Sequence, residues 1–213
     1  MHEDLLKRHL ELVIEANKTT NITRISTWDE GMLLHVQDSL IGLPELNDAP
    51  EGWYVDIGSG AGYPGIPLAI ESGRKTLLAD SVGKKTAILD GIIAQLCLSS
   101  VETYTGRIED LAREHPGEFA VVTARALSRV SVLMEFASPL LQKGGRLICY
   151  KARMEDDELE HALSLQETLG MTLVSDRTLE LEDRCRRIMC FEKTAKPKIK
   201  LPRKTSFAQK RPL

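Results

Sequence analysis

The chain is poor in the features that would take it out of the ordinary α/β enzymes. It has only 4 cysteines in 213 residues, and none pair as C-x-x-C, so neither a zinc cluster nor a disulfide framework is indicated. Cys97 and Cys149 lie in apolar segments and read as small buried residues. No apolar run approaches the roughly 18 residues of a membrane span. The opening Met-His-Glu-Asp-Leu-Leu-Lys-Arg-His is charged and has no signal-peptide pattern, so a cytoplasmic protein with no membrane partner and no metal is expected. Internal repeats are absent, which excludes a solenoid. Acids are missing from Lys193 to Leu213, where there are eight Lys or Arg; the body, residues 1–192, carries −11 and this tail +8. Such a tail fits phosphate-backbone contact as well as it fits a solvated, functionless end. The length suits one core with appendages. We divide it as an N-terminal helical extension (1–50), a core (51–192) and the basic tail (193–213), and expect a monomer.

What is present centres on residues 53 to 67, Trp-Tyr-Val-Asp-Ile-Gly-Ser-Gly-Ala-Gly-Tyr-Pro-Gly-Ile-Pro. Trp53, Tyr54, Val55 and Ile57 favour a strand. Gly58, Gly60 and Gly62 allow a tight turn that a ligand can approach, and Pro64 and Pro67 suit the opening of a helix whose free amides would face the loop. Two ligands fit the letters. Gly60-x-Gly62-x-x-Gly65 matches the dinucleotide fingerprint, and Asp56-x-Gly58-x-Gly60-x-Gly62 matches an S-adenosylmethionine loop. Register favours the second, because the glycine directly after the strand is Gly58, the sixth position from it is the bulky Tyr63, and Asp56 would repel a pyrophosphate.

The rest of the chain alternates strands with helices. Leu6, Leu10 and Val13 give an amphipathic helix over residues 4–17. Thr27 and Glu30 form a capping box for a second helix running to Leu43, with His35, Asp38 and Ser39 on one face. That face is either the edge of a substrate pocket or a capped, solvated surface. Pro44 to Gly52 read as a linker. Strands follow at 75–80, 101–105, 120–124 and 146–150, with helices at 82–98, 128–141 and 154–169, and two late strands at 171–181 and 187–192. This is a doubly wound α/β sheet, whose ligands bind outside the carboxyl ends of the strands, where Asp56, Asp80, Ile108, Glu109 and Arg125 all fall. Asp80 is placed to accept from ribose hydroxyls, or merely closes a turn. For the tail, Pro197, Pro202 and Pro212 favour an extended arm along RNA phosphates; the rival is a tail packed on the core through Ile199, Leu201 and Phe207.

With the loop, the strand-tip acids and the tail together, the sequence closely resembles the bacterial glucose-inhibited division B family, the 16S ribosomal RNA guanine-N7 methyltransferases. The likeness runs nearly end to end and includes Asn21-Ile22-Thr23, His35-x-x-Asp38-Ser39-Leu40, the run from Val55 to Pro67, Asp80-Ser81-Val82-Gly83-Lys84-Lys85 and Arg125-Ala126. It implies a seven-stranded, Rossmann-like S-adenosylmethionine-dependent methyltransferase sheet with an antiparallel last strand. Gly58 and Tyr63 would then line the methionine and ribose end of the donor, Ile108 and Glu109 would flank its adenine, and Arg125 would reach the site. The family usually has leucine at Tyr63, serine at Ala124, and Pro-Gly-Thr-Pro where this chain has Thr205-Ser206-Phe207-Ala208.

Guanine N7 has an in-plane lone pair and no proton, so no general base is required. Asp56 and Asp80 would hold the donor, and Arg125 and Arg184 would orient guanine or phosphate. His35, Asp38, Lys200, Arg203, Lys204, Lys210 and Arg211 would face 16S ribosomal RNA or the small ribosomal subunit. The rivals are a methyltransferase with a protein or small-molecule acceptor, a nicotinamide-dependent oxidoreductase, and a donor-sensing RNA-binding module without activity.

Overall fold

A computed structural model describes residues 2–152 and 154–213. Helix α1 (Glu3–Thr19) opens the chain; α2 (Trp28–Gly31) passes without a break into a π-helical segment (Met32–Gln37) and α3 (Asp38–Leu40), and α4 (Leu43–Asn47) follows. The core then runs β1 (Trp53–Ile57), α5 (Gly65–Ser72), β2 (Thr76–Asp80), α6 (Gly83–Gln95), β3 (Val101–Thr105), α7 (Ile108–Glu114), β4 (Phe119–Arg125), α8 (Val130–Leu140) and β5 (Leu141–Lys151). It closes with α9 (Asp156–Ser164), α10 (Gln166–Leu169), the hairpin β6 (Met171–Leu181) and β7 (Arg184–Lys193), and a last turn, α11 (Phe207–Lys210). Among the described residues no helix is long and apolar enough to cross a membrane.

The seven strands form one sheet in the order β3-β2-β1-β4-β5-β7-β6. The first five are parallel, β7 runs antiparallel to β5, and β6 pairs antiparallel with β7. Strands β2 and β4 are covered on both faces and read as continuous apolar runs, whereas β6, on an edge, alternates between shielded and open positions. The order reverses between β1 and β4, and at such a switch point the loops beyond the strand ends part to leave a crevice. Leu6, Leu10 and Val13 of α1 share one buried cluster with Ile66 of α5, Leu78 of β2 and Leu89 of α6. The N-terminal helices therefore pack directly over the glycine loop.

Four local expectations are corrected. The helix expected from Thr27 to Leu43 is interrupted by the π turn, and in that widened turn the Leu34 carbonyl accepts a hydrogen bond from Arg125. The expected linker contains α4, whose buried Glu45 takes both Nε and a terminal nitrogen of Arg177 at 2.6 and 2.9 Å. Cys97 is exposed, at the positive-φ position just past α6, while Cys149 is buried as expected. The tail is not an extended arm: Ile199, Leu201 and Leu213 pack against the main cluster and Ala208 is buried in it. Polar anchors complete this docking, with Arg203 forming a two-pronged pair to the buried Glu135 of α8 at 2.6 Å. The prolines do break the chain, yet a helical turn fits between Pro202 and Pro212.

Candidate functional site

Gly58, the first residue past β1, has φ +75, and a Cβ there would come within 2.8 Å of Leu127 Cδ1, so any other residue would be strained at this point. Its N–H donates to the Ala79 carbonyl at 2.7 Å, which ties the loop to the end of β2. Asp80, at that end, accepts from Gly60 N–H at 3.0 Å and Val82 N–H at 2.9 Å, with Lys85 Nζ 3.9 Å away. Each carboxylate oxygen keeps a lone pair for a further donor. Asp56 lies beneath the loop, wholly buried. One oxygen accepts from Thr123 Oγ1 at 2.7 Å and the other from the Gly65 N–H at 3.2 Å. Burial pushes its pKa up to about 6, against the pull of those bonds and of Arg125. The first amide of α5 is thus not free, as expected from sequence, but occupied by a side-chain carboxylate where a pyrophosphate would have to sit.

Gly58, Asp80, Val82, Ile108, Phe136 and Gln209 are among the residues around a cavity of about 290 Å³. The backbone approach at Gly58, an acid at the strand tip and the apolar flank of Ile108 and Phe136 fit an adenosyl group with a short zwitterionic arm, and Arg107 Nε on the same wall, 3.9 Å from Glu109 Oε2, is buried with no hydrogen-bond partner among the described residues. Of the residues expected to touch the donor, Gly58, Asp80 and Ile108 line this cavity, and Gly60 holds Asp80. Gly62 instead abuts Ile66 and His9. Tyr63 is turned into the core, its ring stacked at 4.3 Å on His35 and 4.4 Å from that of His9. Glu109 is also buried; its Oε1 accepts the Ser206 N–H at 2.5 Å, so it holds the tail.

A second cavity, of about 500 Å³, adjoins the first at Ala126 and takes in His35, Asp38, Arg125, Lys151 and Arg184. Ala126 has φ +54, an unusual conformation for a residue with a Cβ and one that recurs at functional turns. Here it puts Arg125 on one cavity and Leu127 on the other. Arg125 Nη1 donates to the Leu34 carbonyl at 2.9 Å and Asp38 Oδ2 at 2.8 Å, and Nη2 meets His35 Nδ1 at 3.2 Å. An arginine only donates, so His35 Nδ1 accepts and Nε2–H donates to Thr23 Oγ1 at 2.9 Å. Burial, helped by the Arg125 charge, holds the His35 pKa down to about 4, and the ring is neutral. The second oxygen of Asp38 accepts from Arg186 Nε. His35, Asp38 and Ser39 are all buried, which excludes the solvated-face reading.

Sequence reasoning missed Lys151 and Arg186. Lys151 ends β5, pairs with Glu158 at 2.7 Å, and could have been found by the strand-end rule applied to Arg125. Arg186 offered no signal, being one of four basic residues on β7. Arg184 and Arg186 also line a further cavity of about 650 Å³ under the hairpin turn, where Glu180, Glu182 and Asp183 make the charge mixed. In the tail, Arg203 is spent on Glu135 and the Arg211 carbonyl, whereas Lys200, Lys204, Lys210 and Arg211 stay exposed.

A seven-stranded sheet of this order, with a glycine loop and strand-tip acid at its switch point, defines an S-adenosylmethionine-dependent methyltransferase. Solved structures agree on the fold. Geranyl diphosphate methyltransferase in complex with SAM superposes with a TM-score of 0.61 at 11% identity, over 75% of this chain and 85% of that one. Precorrin-6y C5,15-methyltransferase from Geobacter metallireducens gives 0.58 at 12%, over 73% and 87%. The family model for rRNA small subunit methyltransferase G (GidB) matches residues 2–188. The ribosomal RNA small subunit methyltransferase G of Carboxydothermus hydrogenoformans is 36% identical over 98% of this chain and 91% of its own length, and that of Lactobacillus helveticus 32% over 99% and 91%. The chain belongs to the rRNA small subunit methyltransferase G (GidB) family.

Proposed function

We propose that this protein transfers the methyl group of S-adenosylmethionine to N7 of a guanine in 16S ribosomal RNA. The observation that supports the reading is the shared wall at Ala126, which borders both a cavity suited to the donor and one lined by Arg125, Lys151, Arg184 and Arg186. When bound, the donor supplies an electrophilic methyl on a sulfonium sulfur. The chain's own part is to hold and orient. Gly58 gives the donor its close approach, Asp80 accepts its ribose hydroxyls, and Ile108 covers the base. Asp56 and Glu109 act one step back, fixing the glycine loop and the tail.

On the acceptor side no proton has to move, because N7 attacks through a free lone pair. This agrees with the polar groups there: His35 is neutral with its acceptor nitrogen engaged by Arg125, and Asp38 lies between two guanidiniums. Three of the five N–H bonds of Arg125 are committed within the protein, leaving two to meet the O6 edge of a guanine and position it. Arg184, with exposed Lys200, Lys204, Lys210 and Arg211, contributes phosphate contacts, and His35 and Asp38 act by holding Arg125. The N7 edge of a paired guanine lies in a deep, narrow groove in RNA, so the target is an unpaired or opened nucleotide.

Transfer of labelled methyl to small-subunit RNA transcribed with guanine, and to the same RNA transcribed with 7-deazaguanine, tests the atom. Incorporation into the first alone is expected. Equal incorporation into both would rule out N7.

A further inference from the structure

The basic tail ends on the wall of the glycine-loop cavity and is pinned there from three sides. Glu109 Oε1 accepts the Ser206 N–H, Arg203 grips Glu135 one residue before the cavity-lining Phe136, and Arg107 Nη2 donates to Ser206 Oγ at 3.3 Å and Gln209 Oε1 at 3.1 Å. Gln209 itself lines the cavity beside Arg107 and Ile108. The arginine contact fixes the orientation of the Gln209 amide: a guanidinium only donates, so the atom facing it is the oxygen, and the NH2 group is left as a directed donor.

We propose that Gln209 is a specificity-determining residue of the donor site, its side-chain NH2 donating to N1 of the donor's adenine. The inference rests on reading this cavity as the donor site. Asp80, read as the partner of the ribose, lines this cavity together with Ile108 and Gln209; with the ribose on Asp80 and the base against Ile108, the Gln209 amide is assigned to the edge of the base remote from the sugar. N1 is the ring nitrogen farthest from the glycosidic bond. It accepts a hydrogen bond in adenine, whereas in hypoxanthine it carries a proton and would confront the Gln209 NH2 donor to donor. A site that hydrogen-bonds the edge of a base discriminates against an analogue that cannot make the bond, because the donor is then left facing another donor. The tail would thus complete the donor pocket and help it distinguish adenosyl from inosyl compounds.

The test is calorimetric titration of the full-length protein with S-adenosylhomocysteine and with S-inosylhomocysteine. Wild type is expected to prefer the adenosyl ligand. Gln209→Ala should weaken that ligand about tenfold, the scale of one net hydrogen bond, while leaving the inosyl ligand nearly unchanged. Gln209→Glu, which presents an acceptor, should shift the preference toward the inosyl ligand. Gln209 is exposed, so both variants should keep the wild-type melting temperature. An unchanged adenosyl-to-inosyl ratio in Gln209→Ala, with Asp80→Ala weakening both ligands alike, would overturn the role of Gln209. If Asp80→Ala weakened neither, the placement of the donor in this cavity would fall, and the proposal with it.

Discussion

Replacing Arg203 with methionine removes a cation from a pair whose members are 68 positions apart in sequence and almost fully enclosed in the fold. Glu135 would stay on α8, among residues that are nearly all buried, with neither guanidinium nor water to meet its charge. Breaking a buried pair from one side costs about 3–5 kcal/mol. That is a large part of the roughly 5–15 kcal/mol of a typical domain, and at this chain length it corresponds to a fall of about 6–20 °C in melting temperature. Glu135→Leu combined with Arg203→Met should recover most of the loss, because an apolar pair of similar volume tolerates the same space. Denaturant unfolding followed by fluorescence, with thermal melts alongside, measures all three proteins. If Arg203→Met lies within about 1 kcal/mol of wild type, the tail is not docked as described and the extended-arm reading regains its place.

Asp80→Ala removes the carboxylate proposed to accept from the donor's ribose and should weaken S-adenosylhomocysteine binding by about 1.5–3 kcal/mol in a calorimeter; unchanged affinity would reduce Asp80 to a turn residue. Among the described residues the buried Tyr63 hydroxyl has no hydrogen-bond partner, so Tyr63→Phe should stabilise the protein by about 1 kcal/mol in urea, and a loss of that size would show that the hydroxyl is satisfied. Acidification provides a fourth check. Burial holds His9 at about 3 and His35 at about 4, so below pH 6.5 the unfolded chain takes protons that the folded one refuses, and stability present above pH 6.5 is lost as the pH falls. Asp56, raised to about 6, works the other way: the stability it contributes is full below its unfolded value and lost as the pH rises through 6. Two groups outweigh one, and stability should decline by up to about 1.4 kcal/mol per unit between pH 6 and 4. Asp56→Asn should steepen that decline in melts across this range, and a midpoint that rises on acidification would contradict the assignment.

Much of the core could be read from the sequence because its signals are local. The central parallel strands β1, β2 and β4 are short, largely apolar runs closed by glycine or a charged residue at the tip, and the register of Gly58 against Asp56 separates a methyl-donor loop from a pyrophosphate loop. The structure gives that separation a mechanism, since Asp56 fills the N-terminus of α5. What could not be read depends on partners far away. The π turn at Met32–Gln37 has no local signature, and its Leu34 carbonyl meets Arg125, 91 residues on. Tyr63 was expected on the donor because its position in the motif says nothing of which way the ring turns; His9 and His35, from two other helices, give it a stack in the core. The tail was misjudged by counting its charges without asking what they could neutralise. One signal was present: Glu135 is a lone acid in an otherwise uncharged helix, Val130–Leu140, and such a residue needs a cation from elsewhere.

The central claim is that this protein writes N7-methylguanosine into small-subunit RNA, and nucleoside mass spectrometry reads that mark directly. Small ribosomal subunits from cells lacking the protein, incubated with purified protein and S-adenosylmethionine, should gain one N7-methylguanosine per 16S RNA, and subunits from cells that have it should gain none. Methyl transfer to another nucleoside, or none to RNA while the donor is bound, would contradict the account.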